Sequence, residues 1–171
     1  MVKALTIVCG NAGVGKSTYG KRLAAAQQAA YFDSDTVSER LVRVGLCCAG
    51  MDADDRDSPR YKELYRDVIH EVLFDIALEN LVHVPCVIVA PFTRERRCAE
   101  WPEQLASRLG VLPRIIVLHC EDSERRRRIA QRANPRDTDK LSSWQSYTAV
   151  GRDPTRPPFV HEWVDTTLLE T

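Results

Sequence analysis

The sequence predicts an α/β protein, a doubly wound parallel sheet of about five strands with helices on both faces. Three observations carry that expectation. Gly10-Asn11-Ala12-Gly13-Val14-Gly15-Lys16-Ser17 reads G-x-x-x-x-G-K-S and lies between a strand-like run and a helix-like run. Short apolar runs rich in β-branched residues then alternate with longer helical stretches, the pattern of right-handed crossovers between parallel strands. No internal repeat, low-complexity segment or linker interrupts this alternation, so residues 1–171 read as one domain. A chain of this size buries about 70% of its unfolded surface, enough for a core without covalent staples.

Taken in order, residues 4–9 are apolar and β-branched, as a buried strand requires. Residues 18–28 carry Leu23, several alanines, Lys21 and Arg22 and read as a helix. Residues 30–32 form a short second strand that runs into Asp33-Ser34-Asp35, and 36–44 is helical. Residues 45–60 hold two glycines, Cys47-Cys48, Asp52, Asp54, Asp55, Asp57, Ser58 and Pro59, an irregular acidic loop. Residues 61–81 place Tyr61, Leu64, Val68, Val72 and Ile76 at helical spacing. Residues 85–90 form a continuous apolar strand, 94–109 a helix and 114–119 another buried strand. A strongly charged helix over 122–133 is stopped by Pro135, Asp137 caps a further helix through 150, and 159–164 forms a last short strand.

Composition narrows the function classes. Lys+Arg and Asp+Glu are both 24, so the formal net charge is zero. That balance argues against a standing nucleic-acid partner, which calls for a basic excess, though it permits a local basic groove. Six cysteines include no C-x-x-C pair, and Cys9, Cys86 and Cys120 lie in or beside apolar runs, so they read as reduced thiols of a cytoplasmic protein. The four histidines show no metal-ligand spacing. No secretory signal opens the chain and no apolar run spans a membrane, so no membrane partner is expected.

The glycine motif carries the chemistry. Its glycines allow a tight turn whose backbone N–H groups face an anion, and the helix N-terminus adds its positive dipole end. The phosphate-binding set is then Gly10, Asn11, Ala12, Gly13, Val14, Gly15, Lys16, Ser17 and Thr18. Lys16 reaches the β- and γ-phosphates, and the Ser17 hydroxyl holds Mg2+. The nucleotide is expected to be ATP; no guanine-reading N-K-x-D segment is present.

A small chain, an acidic pair after the second strand and an arginine-rich helix after the fourth resemble the small P-loop kinases. These are the kinases related to chloramphenicol phosphotransferase, gluconate kinase, adenylylsulfate kinase, zeta toxins and the kinase domain of phage polynucleotide kinase. More narrowly, Asp33-Ser34-Asp35, Ala90-Pro91-Phe92 and the segment Arg136-Asp137 through Lys140-Leu141, Trp144 and Tyr147 resemble a bacterial kinase-like ATPase subgroup. The resemblance implies phosphate transfer from ATP to a hydroxyl of a small molecule, with ATP and Mg2+ as cofactors and a monomer or homodimer as the assembly. Two other readings stay open: a polynucleotide 5′-hydroxyl kinase, and a nucleotide-binding regulatory ATPase with no small-molecule acceptor.

The resemblance also distributes roles. Asp35 is the expected catalytic base or acceptor-orienting carboxylate, and Asp33 the expected support of Mg2+, with an N-cap role open for either. Many relatives end the third strand with an Asp; here Ala90 stands there, so the metal's support falls to Asp33. Phe92, Arg94 and Arg97 are candidate acceptor-site residues beside Asp35, and one member of the run Arg94-Glu95-Arg96-Arg97 is expected to bind a substrate phosphate, carboxylate or polar edge, against a solvated first turn of a helix. Residues 122–150 are the expected lid. Arg125, Arg128 and Arg132 share one helix face, and Arg128 and Arg132, with Lys16, are expected to neutralise charge on the transferring phosphoryl group, Arg136 joining them at the nucleotide. The acidic loop either favours a cationic or many-hydroxyl acceptor or is merely solvated. Trp101, Trp144 and Trp163 read as packing residues.

Overall fold

The computed structural model describes residues 3–151 and 156–169. Among these, five strands form one sheet: β1 (Leu5–Cys9), β2 (Ala30–Asp33), β3 (Cys86–Val89), β4 (Arg114–His119) and β5 (Glu162–Asp165). Their order is β2-β3-β1-β4-β5, and every adjacent pair is parallel. β1 lies in the middle, with Leu5 opposite Cys86 of β3 and Thr6 opposite Arg114 of β4. Helices cover both of its faces, so all five of its residues are buried and its sequence shows no polar alternation. The period of two survives in the packing: Leu5, Ile7 and Cys9 join one core with Leu73, Phe74, Trp101 and Leu105, while Val8 joins the other with Val14, Ala24 and Leu118.

The helical elements are α1 (Lys16–Gln27), α2 (Ser34–Cys48), α3 (Pro59–Tyr61), α4 (Asp67–Asn80), α5 (Trp101–Leu109), α6 (Asp122–Gln131), α7 (Thr138–Ser142) and α8 (Trp144–Gly151). A π-helical turn, Lys62–Arg66, joins α3 to α4, and 3-10 turns occupy Glu95–Arg97 and Pro135–Asp137. The doubly wound sheet and the alternation of strand and helix agree with the sequence reading, while several boundaries move. α2 starts at Ser34 because the Asp33 carboxylate caps it, accepting from the Asp35 N–H at 2.9 Å. The helix expected over 94–109 splits, since α5 begins only at Trp101, with Pro102 in its first turn where a missing N–H costs nothing. The helix expected over 137–150 breaks at Ser143, and the last strand, expected over 159–164, starts three residues later and ends one residue later. No helix among the described residues is long and apolar enough to cross a membrane.

Phe92 requires a correction. The sequence places it at the acceptor, but its side chain is fully buried in the core under the sheet. Its ring lies 4.5 Å from His70, 5.6 Å from Phe74 and 5.1 Å from Trp101, centroid to centroid. Its backbone is left-handed, φ 44°. A non-glycine residue holds that conformation only where the surroundings over-determine it, and the aromatic cluster does so here. The consequence is local: the chain turns sharply after β3 and delivers Thr93 through Arg97 to the cavity edge. Phe92→Ala should lower folding stability by about 3–5 kcal/mol, the range for a buried aromatic lost from a core. Urea unfolding followed by far-UV circular dichroism measures it, and a loss below about 1 kcal/mol would remove Phe92 from the core role.

Candidate active site

The carboxyl ends of β1, β2 and β3 open into one cavity of about 1100 Å3. That volume accommodates a nucleotide together with a small second molecule. Twelve of its lining side chains are Lys or Arg and four are Asp, in a chain of zero formal net charge.

The phosphate loop forms one wall. Gly10, Gly13 and Gly15 have φ of 144°, 83° and 82°, values that side-chain-bearing residues avoid. Gly15 caps α1, so the loop feeds a helix N-terminus whose first N–H groups point into the cavity. Asn11, Ala12, Gly13, Gly15, Lys16, Ser17 and Thr18 line the cavity as expected. Val14 differs, its side chain being buried in the core behind the loop. Lys16 Nζ folds back onto the Asn11 carbonyl at 2.9 Å. Burial pulls its pKa down to about 8, and the carboxylates of Asp35 and Asp33 only partly oppose that shift.

Asp33 caps α2 and also reaches the phosphate loop. Its Oδ1 caps α2, while its Oδ2 accepts from Ser17 Oγ at 2.7 Å and from Tyr31 Oη at 2.8 Å. Burial, followed by the charge of Asp33, raises the pKa of the Tyr31 hydroxyl, which keeps it a donor to that carboxylate. A Ser hydroxyl and a buried carboxylate side by side at a phosphate loop are hard oxygen donors suited to Mg2+. Asp35, in the first turn of α2, is paired with Arg136 at 2.5 Å, while Arg136 also holds Glu39 at 3.0 Å. Lys140 reaches Asp57 at 2.8 Å. Segment 135–140 is thus clasped across the cavity to α2 and to the loop that follows it.

The arginine-rich helix does something other than the sequence suggests. Arg125 and Arg128 do share a buried face. The Arg128 guanidinium is consumed, however: Nε holds Glu124 at 2.7 Å, and Nη2 donates to the carbonyls of Thr166 at 2.6 Å and Leu169 at 2.9 Å. Although it borders the cavity, Arg128 ties α6 to the segment after β5, which corrects the expectation that it faces the γ-phosphate. Arg125 Nε donates to the phosphate-loop carbonyl of Ala12 at 3.1 Å, and its guanidinium lies 5.6 Å from the Trp144 ring. Arg132 faces the cavity but is held bidentately by Asp137 at 2.5 and 2.8 Å. Arg127 pairs with Glu124 at the exposed surface.

At the far end of the cavity, Arg94 is largely exposed and pairs with Asp67 at 2.6 Å, and Arg97 also lines the wall. Sequence reasoning did not single out Arg66, nor Thr166 behind the phosphate loop. Arg66, delivered by the π-helical turn, donates to Thr93 Oγ1 at 2.9 Å and to Glu95 at 3.3 Å. Burial alone would raise the Glu95 carboxyl, but its hydrogen bond with His70 and the Arg66 charge outweigh burial and hold it at about 2. Thr166 Oγ1 lies 2.9 Å from Val14 O and 3.0 Å from His119 O, joining β4 and β5 to the phosphate loop. A π insertion leaves no sequence signal, and a lone threonine after a short strand carries none. The acidic loop is internally spent: Asp54 pairs with Arg43, Asp55 accepts from the Ser58 N–H at 2.9 Å, and Asp57 pairs with Lys140.

Comparison with known proteins follows this geometry. The family model described as an AAA domain matches residues 5–153. A comparison with curated proteins finds no match. Among solved structures, the chain is similar to a candidate kinase from Chloroflexus aurantiacus j-10-fl, with 20% identity and a TM-score of 0.70 over 98% of this chain and 90% of that one. It is also similar to a shikimate kinase from Bacteroides thetaiotaomicron, with 16% identity and a TM-score of 0.58 over 98% and 89%. A gluconokinase from Sinorhizobium meliloti 1021 matches with 16% identity and a TM-score of 0.53 over 99% and 84%. At these identities the likeness shows a shared P-loop kinase-like fold.

Arg128→Ala should destabilise the protein by about 1–3 kcal/mol, because it removes the buried guanidinium that ties α6 to the carbonyls of Thr166 and Leu169. Arg126→Ala, on the exposed side of α6, should stay within about 0.5 kcal/mol. Chemical denaturation of the two variants measures both, and equal small losses would return Arg128 to a solvated surface role.

Proposed function

The chain belongs to the AAA domain family, and we propose that it is an ATP- and Mg2+-dependent phosphotransferase that moves the γ-phosphate to a hydroxyl of a small molecule. One observation carries this reading: Lys16, the Ser17–Asp33 pair and the Asp35 carboxylate open onto one cavity large enough for both reactants. Phosphoryl transfer asks the protein for positioning and charge neutralisation more than for covalent chemistry. The loop N–H groups and Lys16 hold the phosphates. Ser17 and Asp33 would hold Mg2+, which neutralises charge on the phosphate oxygens when bound. Asp35 orients the acceptor hydroxyl and takes its proton late.

The lid is the part of segment 122–150 that follows α6, since Arg125 and Arg128 anchor α6 itself. Arg136 pairs with Asp35. ATP gives Arg136 a stronger anionic partner, so nucleotide binding frees Asp35 for the acceptor. The basic lining and the spent acidic loop favour an acceptor that carries an anionic group as well as its hydroxyl.

Acceptor-dependent ADP release tests this, across a panel of polyols, hydroxy acids, sugar phosphates, nucleosides, antibiotics and oligonucleotide 5′-hydroxyls. Turnover with a small hydroxyl acceptor is expected. Turnover with oligonucleotides alone would transfer the reading to a polynucleotide kinase, and nucleotide binding with no acceptor at all to a regulatory ATPase. With the acceptor found, Asp35→Asn should cut turnover about 10²-fold or more while ATP affinity persists. Asp33→Asn should instead raise the Mg2+ requirement.

Lys16 gives the reaction a pH signature. Its protonated form binds phosphate, and burial has lowered its pKa to about 8. ATP affinity should therefore be flat below that value and fall above it, by up to about tenfold per pH unit. Lys16→Arg should flatten the profile, since a guanidinium stays charged. Calorimetric titration from pH 6.5 to 9.5 reads it, and a flat wild-type profile would dissociate Lys16 from the phosphates.

A further inference from the structure

The end of β3 carries a cation where a carboxylate was looked for. Ala90 is fully buried there, and the sharp turn at Phe92 brings the 3-10 turn Glu95–Arg97 round toward the phosphate loop. Glu95 faces away, onto Arg66 and His70. Arg96 faces the loop, and its Nη2 donates to Asn11 Oδ1 at 3.1 Å. Lys16 Nζ holds the backbone carbonyl of the same residue at 2.9 Å. Two cations thus converge on one neutral asparagine at the second position of the loop.

Arg96 Nε is sealed from solvent without a hydrogen-bond partner. A buried donor left unmade costs about 1–3 kcal/mol. Its charge also works against Lys16: burial is the main cause of the low Lys16 pKa, but Arg132 and Arg96 add to the lowering. The same two cations, Arg96 and Lys16, pull down on the buried Cys9 thiol, though burial still pushes it up to about 12. A site that crowds like charges and strands a donor is arranged for an anion.

The sheet order says which anion. β3 lies between β2, which leads into Asp33 and Asp35, and β1, which leads into the phosphate loop. A side chain delivered from the end of β3 therefore stands between the donor's phosphates and the acceptor's carboxylate. The terminal phosphate of a nucleoside triphosphate held by the loop would extend toward that gap.

We propose that Arg96 is a γ-phosphate-binding residue, which exchanges Asn11 Oδ1 for γ-phosphate oxygens when a nucleoside triphosphate binds and returns to Asn11 with a diphosphate. Resting on the phosphotransfer reading, this makes Arg96 the group that distinguishes substrate nucleotide from product. Arginine suits the task because its fork can hold two oxygens of a phosphoryl group at once.

Equilibrium binding of ADP and of a non-hydrolysable ATP analogue to the wild type, Arg96→Gln and Arg96→Lys tests it. Gln keeps a donor for Asn11 without the charge, and Lys keeps the charge without the fork; thermal unfolding checks that each folds. Arg96→Gln should weaken the triphosphate analogue about tenfold or more, the loss of one charge-assisted hydrogen bond, and leave ADP within about twofold. Arg96→Lys should fall between. Equal weakening of both ligands, or of neither, would overturn the proposal and leave the phosphotransfer reading intact. A wild type that binds neither nucleotide would overturn both.

Discussion

The phosphate loop has no room behind it, and the rest of the site follows from that. A Cβ on Gly10 would lie 2.5 Å from the Leu118 carbonyl oxygen of β4, and one on Gly13 would lie 2.9 Å from the Arg125 carbonyl of α6. Backbone meets backbone at both points, so neither neighbour can yield as a flexible side chain would. With its rear closed, the loop presents its N–H groups forward to the cavity. The neighbours that close the rear are themselves tied down: Thr166 bridges Val14 and His119, Arg125 holds Ala12, and Arg128 anchors α6 to the segment after β5. An anion site made of backbone depends on such rigidity, because it has no side chains with which to adapt.

What the sequence reveals here is whatever repeats or has a fixed spacing. The inner strands β1, β3 and β4 show as apolar runs because a doubly wound sheet buries both of their faces, and the phosphate loop shows because its glycines are irreplaceable. Arg128 shows why periodicity stops short of function. Its placement on a common face with Arg125 is correct, but a face can turn toward a ligand or toward the chain's own carbonyls, and only the position of residues 166–169 decides which. Phe92 fails for a related reason: a left-handed residue after a strand sends its side chain back into the core, and no propensity scale anticipates that at a phenylalanine. Arg96 was visible only as one of a run of charges, since its distinction is the distance to Asn11, 85 positions away in the chain.

The zero net charge conceals a strong separation. Basic side chains gather in the cavity, and many of their acidic partners stand just outside its lining, as Glu39, Glu95, Asp67 and Asp137 do. Each such pair holds an arginine in place with about the strength that partly buried ion pairs allow, and leaves its outward donors turned to the space between. An incoming polyanion meets positive potential there without the protein becoming basic overall.

The central position of β1 bears on how the molecule is made. β1 precedes every other strand in the chain, yet both of its neighbours, β3 and β4, come much later: Leu5 pairs with Cys86 and Thr6 with Arg114. During synthesis its apolar residues and the loop that follows them wait, unpaired, until β3 has left the ribosome. Contacts of such long sequence separation fold slowly and expose strand edges meanwhile. The same topology that puts the phosphate loop at the heart of the sheet leaves β1 unsecured until β3 follows it, and a nascent chain truncated before residue 86 has neither of the strands that flank it.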